Sequence, residues 1–410
     1  MSKKNIAVIG GGPAGLMAAE TLARAGMAVT VFDRMANPGR KFLLAGRGGL
    51  NLTHSEPLPA FLGRYGAGAE HLRPAIEALP PSQLRAWADG LGQETFIGTS
   101  GRVFPRAMKS SPLLRAWLGR LGDLGVQLER GLRWTGWDAN GALTFVAIDG
   151  RTGAVKPDAT VLALGGASWP KLGSDGGWVS MLAERGVEVT ALQPANCGVH
   201  VAWSELLAAR FAGEPLKRIA VSVGDTMQRG EAMVTRQGLE GGVIYALGPI
   251  IRERLADPSG CILTLDLRPD LDHAQLTGAL SRPRGKLSLG NYLRKTAALP
   301  PVAIALLHEG HGKALPVEPD ELAFAVKAVP VSITGLSAIE RAISTAGGIA
   351  WNALDERFML RAVPGVFAAG EMIDWDAPTG GYLLQACFAT GAAAARGVLA
   401  YLKDSARKTA

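Results

Sequence analysis

The sequence predicts an α/β fold, in which a parallel sheet flanked by helices forms one domain and a second, mainly β unit is inserted into that domain. Three observations lead to this prediction. A strand, a glycine-rich turn, a helix and a second strand follow one another within residues 6–33. Short strands separated by turn residues dominate residues 199–267. Near the end of the chain, an apolar strand at 366–369 precedes a long helix rich in small residues.

Composition indicates a folded chain with more than one domain. The 410 residues correspond to two or three domains at about 150 residues each. Hydrophobic residues make up 48% of the chain and charged residues 19%, which excludes a disordered protein. The 53 glycines follow no Gly-X-Y period, which excludes a collagen, and they indicate tight turns or close backbone approaches to a ligand.

Charge and cysteine usage narrow the class of partner and the compartment. The formal net charge of +7 fits a mildly basic surface or attraction to anionic nucleotides. Because the cations are scattered, we expect no nucleic-acid partner. Cys197, Cys261 and Cys387 form no CxxC pair, so we expect no disulfide framework or zinc site, and a cytoplasmic location fits best. The apolar run from Ile6 is too short for a signal or membrane segment, and we expect no membrane association.

The first 33 residues predict a dinucleotide site. Gly10 allows a tight turn after the strand at 6–9, Gly12 lets a pyrophosphate approach the backbone, and Gly15 lets a helix at 16–25 pack close to the strand. The helix N-terminus offers free N–H groups to the phosphates. Asp33 follows the second strand and can accept hydrogen bonds from ribose hydroxyls, which argues against a 2′-phosphate although Arg34 is adjacent. This motif alone does not distinguish FAD from NAD.

The segment after this motif predicts either a loop around an anionic ligand or a flexible, solvated loop. Residues 39–54 contain three cations and four glycines. They resemble the signature of the BaiN-like (YhiN-type) NAD(P)/FAD-dependent oxidoreductases. The matching positions are Lys41, Gly46, Gly48, Asn51 and Thr53. Gly49 and Leu50 replace the Arg-Cys pair of that signature, with Arg47 just before them, which indicates a divergent branch. Segments 102–109 and 230–241 resemble two further signatures of the family, with Arg236 in place of a histidine.

The resemblance implies a glutathione-reductase-type FAD-binding Rossmann domain, with an inserted mainly β plus helical substrate domain. The strand at 159–164 ends in glycines and resembles the second motif of such flavoproteins. Residues 125–128 and 132–137 predict two paired strands, and Trp134 would make main-chain contacts to the adenine. Glu371 would contact the ribityl chain or the neighbouring phosphate region. The helix after Gly380 and Gly381 would point its N-terminus at the flavin ring, where it stabilises negative charge.

These segments predict the domain boundaries. Residues 1–188 and 332–410 would form a discontinuous FAD-binding domain, and residues 189–331 the insertion, β-barrel-like over 189–268 and helical over 269–315. The residues predicted to contact FAD are Gly10, Gly12, Pro13, Ala14, Gly15, Asp33, Arg34, Lys41, Gly46, Arg47, Gly48, Asn51, Leu52, Trp134, Ala163, Gly165, Gly166, Gly370, Glu371, Gly380, Gly381, Tyr382 and Leu383.

The resulting functional prediction is an FAD-dependent oxidoreductase that transfers hydride through the flavin N5 to or from a small organic substrate. Members similar to enone reductases would use NAD(P)H as a transient electron donor, whereas aminoacetone-oxidase-like members would oxidise an amine with oxygen. No second GxGxxG provides a separate nicotinamide domain. A flavoprotein acting on RNA and a non-enzymatic flavin sensor are the alternatives. The oligomeric state is left open.

The sequence identifies no catalytic acid or base. Lys109, His54, Arg236 and Tyr382 are chemically capable, but no spacing places them beside the flavin N5. His308 and His311 have helical spacing, yet no third ligand accompanies them. We therefore predict no metal site.

Overall fold

The computed structural model describes residues 3–46, 48–312 and 315–409. The chain forms two compact units, one made of residues 1–193 and 344–410 and the other of residues 194–343. The predicted boundaries lie five residues earlier at the first crossing and twelve residues earlier at the second. The second difference arises because the strands at Val329–Ile333 and Gly335–Leu336 both belong to the sheet of the inserted unit.

Twenty strands occur in the described residues. They are β1 (Asn5–Ile9), β2 (Ala28–Asp33), β3 (Thr53–His54), β4 (Thr95–Ile97), β5 (Arg102–Pro105), β6 (Gln127–Arg130), β7 (Leu132–Trp137), β8 (Leu143–Ala147), β9 (Thr152–Val155), β10 (Ala159–Leu162), β11 (Val189–Ala195), β12 (Val199–His200), β13 (Pro215–Val223), β14 (Thr226–Thr235), β15 (Gly238–Glu240), β16 (Cys261–Asp266), β17 (Val329–Ile333), β18 (Gly335–Leu336), β19 (Ser344–Ile349) and β20 (Val366–Ala368).

Fifteen α-helices occur in the same part of the chain. They are α1 (Pro13–Arg24), α2 (Arg40–Ala45), α3 (Leu58–Gly63), α4 (Ala69–Ala78), α5 (Pro81–Asp89), α6 (Ser110–Asp123), α7 (Trp178–Ala183), α8 (Glu205–Phe211), α9 (Gly242–Ala246), α10 (Gly248–Ala256), α11 (His273–Leu280), α12 (Leu289–Thr296), α13 (Pro301–His311), α14 (Pro319–Lys327) and α15 (Tyr382–Thr409). Short 3-10 turns add Gly66–Gly68, Pro170–Leu172, Ile339–Arg341, Trp351–Ala353 and Gly370–Met372.

A five-stranded parallel sheet forms the centre of the first unit, as the sequence predicts. Its strand order is β20-β10-β1-β2-β6, and each of the four pairings is parallel. Residues Ile6 to Ile9 are buried on both faces, which explains why β1 is continuously apolar. The expected pairing of the strands at 125–128 and 132–137 is wrong. β6 pairs with β2 and β7 with β8, because β6 completes the parallel sheet while β7 starts a separate antiparallel one.

Two helices pack on this sheet and on each other. Helix α1 begins at Pro13, three residues before the predicted start, because proline fits the first helical turn and Gly12 precedes it with an extended backbone. Helix α15 is long and apolar enough to span a membrane by length and composition, but 61% of its most apolar window is buried within the protein. Gly391 of α15 allows the close contact, since a Cβ there would lie 2.2 Å from the Ala14 carbonyl oxygen. Its burial identifies α15 as a core helix.

The inserted unit contains a seven-stranded sheet and most of the remaining helices. The strands pair in the linear order β17-β16-β13-β14-β15-β12-β18, so the β-barrel-like prediction is replaced by an open sheet with two edges. Helices α8, α9 and α10 interrupt the region predicted as β, and α11, α12 and α13 lie where helices are predicted. A separate hydrophobic core supports this unit, with Leu263, Leu265 and Val331 fully or almost fully buried.

Helix α11 starts with a complete capping box. The Asp272 carboxylate accepts from the Gln275 amide at 2.7 Å, and the Gln275 side chain accepts from the Asp272 amide at 3.0 Å. Asp272→Ala is therefore expected to destabilise the inserted unit by about 1 kcal/mol. Chemical denaturation will measure this loss of unfolding free energy, with Glu253→Ala on the exposed face of α10 as the control. Equal midpoints for the two variants would contradict the prediction.

Candidate functional site

The glycines of the first turn serve two different purposes. Gly10 has a φ of +106°, and a Cβ there would lie 2.2 Å from the Ala163 carbonyl oxygen. A Cβ on Gly15 would lie 1.9 Å from the Gly10 carbonyl oxygen. These two positions therefore require glycine because strand, turn and helix pack in contact.

Gly12 faces open space instead. No heavy atom lies within 4 Å of a Cβ built on Gly12, and its φ of −83° and ψ of −178° suit any residue. The first intrahelical bond runs from the Leu16 amide to the Gly12 carbonyl at 2.9 Å, so the Ala14 and Gly15 amides have no helical partner. This turn can accept an anionic group in front of α1.

Asp33 closes the turn at the end of β2. Its Oδ2 accepts from the Gly11 amide at 2.7 Å and its Oδ1 from the Met35 amide at 2.7 Å. Burial raises the pKa of the Asp33 carboxyl, although these two bonds and Arg34 oppose the rise. Each oxygen retains a lone pair for a ribose hydroxyl. The neighbouring Arg34 guanidinium is held by the Asp175 carboxylate.

The ends of the central strands bring the N-terminal and C-terminal segments together. A Cβ on Gly370 would lie 2.8 Å from the Ala14 Cβ, so the loop after β20 touches the start of α1. The Gly165 carbonyl accepts from the Trp178 indole at 2.8 Å, and the Gly166 carbonyl accepts from the Ser174 hydroxyl at 2.9 Å. Predicted site residues that are distant in sequence therefore share one end of the sheet.

A partly buried ion pair lies at this end of the sheet, with 28% of the Lys41 side chain and 10% of the Glu371 side chain exposed. The Lys41 ammonium donates to Glu371 at 2.7 Å (Oε2) and 3.0 Å (Oε1), and to the Ser168 hydroxyl at 2.6 Å. Glu371 also accepts from the Thr345 amide at 2.9 Å. Both predicted residues are thus in the site, but their donors and acceptors are engaged by the protein itself.

The start of α15 is fixed against the segment 51–53. A Cβ on Gly381 would lie 2.6 Å from the Thr53 Cα, and Gly380 and Gly381 have φ values of +137° and +97°. The Asn51 side-chain amide, oriented with its nitrogen as donor, reaches the carbonyls of Thr53 at 3.2 Å and Gly380 at 3.3 Å. The first amides of α15 precede the Gln385 amide, which bonds the Gly381 carbonyl at 3.0 Å, and have no intrahelical acceptor.

The Tyr382 side chain is directed into the protein. Its hydroxyl donates to Glu56 at 2.5 Å, and Arg64 donates to both oxygens of the same carboxylate, at 3.1 and 2.8 Å. The Tyr65 hydroxyl donates to the Tyr382 carbonyl at 2.8 Å. Burial raises the pKa of the Tyr382 phenol most, and the Glu56 carboxylate beside it raises this pKa further. At the start of α15, Tyr382 can therefore face a cofactor through its main chain but not through its side chain.

Tyr382→Phe is expected to lower the melting temperature of the protein. The substitution removes a hydrogen bond to a charged acceptor, worth about 1.5–3 kcal/mol, while Arg64 still satisfies Glu56. Calorimetry of the apoprotein will measure the change. Tyr401→Phe on the same helix removes no hydrogen bond that Tyr401 is observed to make and should change little. Equal melting temperatures for the two variants would contradict the assignment.

The other predicted residues occupy varied environments. Leu52 is fully buried and its amide bonds the Val103 carbonyl at 2.9 Å. Trp134 is buried against Trp137, with an indole N–H that has no hydrogen-bond partner. A Cβ on Gly46 would meet the Ser110 hydroxyl at 2.3 Å, whereas one on Gly48 would meet no atom within 4 Å. Arg47 lies outside the described residues. Pro13 opens α1, and Leu383 is half-buried in the first turn of α15.

The chemically capable candidates are dispersed. His54 uses both ring nitrogens, one toward the Ser100 carbonyl at 3.0 Å and one as acceptor from the Glu56 amide at 3.1 Å. Lys109 is exposed before α6, and Arg236 is exposed between β14 and β15 of the inserted unit. His311 bonds the Ala325 carbonyl at 3.0 Å. Within the ranges that the structure describes, no group of three or more His, Cys, Asp or Glu is placed to hold a metal ion.

Sequence reasoning missed several polar residues around the site. Glu56, Ser168 and Thr345 carry the bonds described above, yet none is assigned a role by the motifs. Ser168 and Thr345 are almost completely buried. A polar residue two positions after a glycine-terminated strand, as Ser168 is after Gly166, is the signal that could have identified one of them.

The comparison with known families identifies the chain. The family model described as "HI0933-like protein Rossmann domain" matches residues 4–397. The chain belongs to this family. The resemblance predicted from Lys41–Thr53 is confirmed, and so is the predicted class of enzyme: this HI0933-like protein is an FAD-dependent oxidoreductase.

Two relatives align with nearly the whole chain of this HI0933-like protein. It is 24% identical over 406 residues to the 3-dehydro-bile acid delta(4,6)-reductase of Clostridium scindens, covering 95% of this chain and 98% of the relative. It is 23% identical over 421 residues to the ribosomal RNA dihydrouridine synthase of Escherichia coli, covering 98% and 99%.

Two solved structures share the fold of this HI0933-like protein. One is the 3-ketosteroid delta1-dehydrogenase of Sterolibacterium denitrificans, at a TM-score of 0.54 and 13% identity over 98% of this chain and all of that one. The other is the 3-ketosteroid-delta4-(5alpha)-dehydrogenase of Rhodococcus jostii, at 0.50 and 18% identity, covering 98% and 97%. The predicted fold class is thereby confirmed.

The residues present fit FAD. Open space at Gly12 provides room for a diphosphate beside free amides of α1, and Asp33 provides acceptors for a ribose. The free amides at the start of α15, a helix of the same unit, provide further hydrogen-bond donors. These residues would hold the dinucleotide and supply positive potential at both of its ends.

Proposed function

We propose that this protein reduces a carbon–carbon double bond conjugated to a carbonyl group in a small organic substrate. The observation that carries the proposal is the contact between the loop after β20 and the start of α1 at the carboxyl end of the sheet, in a unit where α1 and α15 both begin with free amides. The choice of reduction over amine oxidation is supported by the relative named as a bile-acid reductase, which aligns over nearly its whole length.

FAD, when bound, would carry a hydride from an electron donor to the substrate. The α1 amides and Asp33 would hold the nucleotide, and the α15 amides would favour negative charge on the flavin ring. The net reaction adds a hydride to one carbon of the double bond and a proton from water to the other. We propose NAD(P)H as the external hydride donor, bound transiently.

Anaerobic titration of the FAD-loaded protein tests this function. NADH or NADPH should bleach the flavin absorbance, and 4-androstene-3,17-dione should restore it with formation of the saturated ketone. The matched control is the corresponding steroid that lacks the double bond, which should leave the flavin reduced. Bleaching by a small amine, together with no reoxidation by any enone, would instead support amine oxidation.

A second candidate substrate is a uracil base in RNA. It is favoured by the Escherichia coli relative, whose name gives it a ribosomal RNA substrate and whose alignment covers the chain. The reaction class is the same, because the uracil double bond is also conjugated to a carbonyl. Reoxidation of the reduced protein by a uridine-containing RNA, but not by the same RNA containing dihydrouridine, would favour this substrate.

We also propose a cytoplasmic location. The chain has three cysteines and no CxxC pair, and Cys261 and Cys387 are free thiols, as expected in a reducing compartment. Fractionation of the native host with activity measured in each fraction tests this location.

A further inference from the structure

Four segments of the first unit meet at one partly buried cluster of polar residues. Lys41 comes from α2, Ser168 from the loop after β10, Thr345 from β19 and Glu371 from the turn after β20. Three of these segments carry or adjoin residues predicted to contact FAD, and the Thr345 side chain of β19 lies against Gly166, another predicted contact. We call these four residues the Lys41–Glu371 cluster.

The hydrogen-bonding capacity of the ion pair is committed within the cluster. An ammonium has three donors, and the three nearest acceptors of Lys41 are Ser168 Oγ and the two Glu371 oxygens, at 2.6–3.0 Å. The Glu371 Oε1 also accepts from the Thr345 amide, and its Oε2 faces the Gly166 amide at 3.4 Å. Little capacity is left for phosphate on the lysine or for a hydroxyl on the carboxylate.

We propose that Lys41 and Glu371 are positioning residues that hold the cofactor site together rather than ligands of the cofactor. The pair fixes α2, the loop after β10, β19 and the turn after β20 in one arrangement. This inference rests on the proposed FAD-dependent function, and it differs from the direct contacts that the resemblance implies for both residues.

Charge compensation explains why both members are needed. The Glu371 side chain is 10% exposed, so its charge requires the lysine beside it. The Cys387 thiol of α15 also lies close enough to interact with the pair, and burial together with Glu371 raises the pKa of this thiol to about 12. The thiol is therefore neutral near pH 7 and adds no second negative charge beside Glu371.

A double-mutant cycle tests the proposal. The variants are Lys41→Met, Glu371→Gln and the double variant, with Lys41→Arg as the conservative replacement and the exposed Lys156→Met as the matched control. Two quantities are measured for each variant. One is the FAD dissociation constant, by flavin fluorescence, and the other is the melting temperature of the apoprotein without FAD.

A positioning pair predicts strong coupling in both quantities. Lys41→Met should weaken FAD binding about 100-fold, because the Glu371 carboxylate is left without its compensating charge. In the Glu371→Gln background, Lys41→Met should weaken FAD binding by less than about tenfold. The apoprotein of the double variant should melt at a higher temperature than that of Lys41→Met alone. Lys41→Arg should stay within about tenfold of the wild type, and Lys156→Met should equal it.

Independent ligands predict the opposite result. Equal losses of FAD affinity from Lys41→Met in both backgrounds, with no change in the melting of the apoprotein, would overturn the proposal. A failure of the proposed function is distinguishable, since it would show as absent FAD binding or absent enone reduction in the wild type. The coupling in the melting of the apoprotein can be measured in either case.

Discussion

Replacing Gly12 with valine is expected to abolish FAD binding while leaving the fold intact. A side chain there meets no protein atom within 4 Å, and the backbone conformation is unstrained for any residue. The valine methyl groups would instead occupy the space in front of the free α1 amides, where a diphosphate must approach. We expect at least a 100-fold weaker FAD affinity, which corresponds to about 2.7 kcal/mol or more.

Two other glycines serve as controls for this experiment. Gly15→Ala places a Cβ 1.9 Å from the Gly10 carbonyl oxygen, so we expect loss of apoprotein stability as well as of FAD. Gly119→Ala lies inside α6 in open space and should be neutral or stabilising by roughly 0.5–1 kcal/mol. Flavin fluorescence titration and calorimetry separate the three cases. Wild-type affinity in Gly12→Val would show that the dinucleotide does not lie at this turn.

Replacing Glu20 with alanine is expected to cause a large loss of stability. Glu20 lies on α1 and is 2% exposed. Its carboxylate accepts from the Trp87 and Trp117 indoles at 3.0 and 2.8 Å and from Arg24 at 2.8 Å, with Arg120 at 3.3 Å. Removal leaves the buried Trp117 indole and the half-buried Trp87 indole without their acceptor, and it takes away the negative charge that faces Arg120. Such a loss costs about 3–5 kcal/mol.

The pH dependence of this loss has a defined sign. Burial opposes ionisation of Glu20, but the Trp87 and Arg24 hydrogen bonds and the Arg120 charge outweigh it and hold the pKa below its ordinary value of 4.5. A carboxyl with a lowered folded pKa stabilises the protein above its unfolded pKa and loses this contribution as pH falls through the folded pKa. The stability difference between wild type and Glu20→Ala should therefore be full near pH 7 and shrink below about 4.5.

Thermal unfolding across pH, followed by near-ultraviolet circular dichroism of the tryptophans, measures both effects. The matched control is Glu129→Gln, an exposed carboxylate of the same unit that should change stability by less than about 0.5 kcal/mol. The stability of Glu20→Gln should lie between that of Glu20→Ala and that of Glu129→Gln. The glutamine oxygen can accept from one donor, but its nitrogen faces the remaining donors. A Glu20→Ala protein as stable as the control would contradict the buried role of this carboxylate.

Much of the nucleotide-binding fold was predictable because its signals are local. Gly10, Gly15 and Asp33 act within 33 residues of chain, and the short distances at these glycines show why no larger residue fits there. The predicted helix start was late by three residues, since the pattern of apolar residues does not register a proline in the first turn. The same local signals could not choose between a barrel and an open sheet in the inserted unit, which depends on whether distant edge strands pair.

By itself, the sequence determined that this protein has a parallel sheet with a glycine turn, a family signature after it and a second glycine pair before the last helix. The tertiary structure decided what the polar side chains do. Lys41 and Glu371 are 330 positions apart, and Glu56 and Tyr382 are 326 apart. Their pairing follows from how helices and strand ends pack. A hydrogen bond between distant residues leaves no periodic or spacing signal in the chain, so only packing assigns its partner.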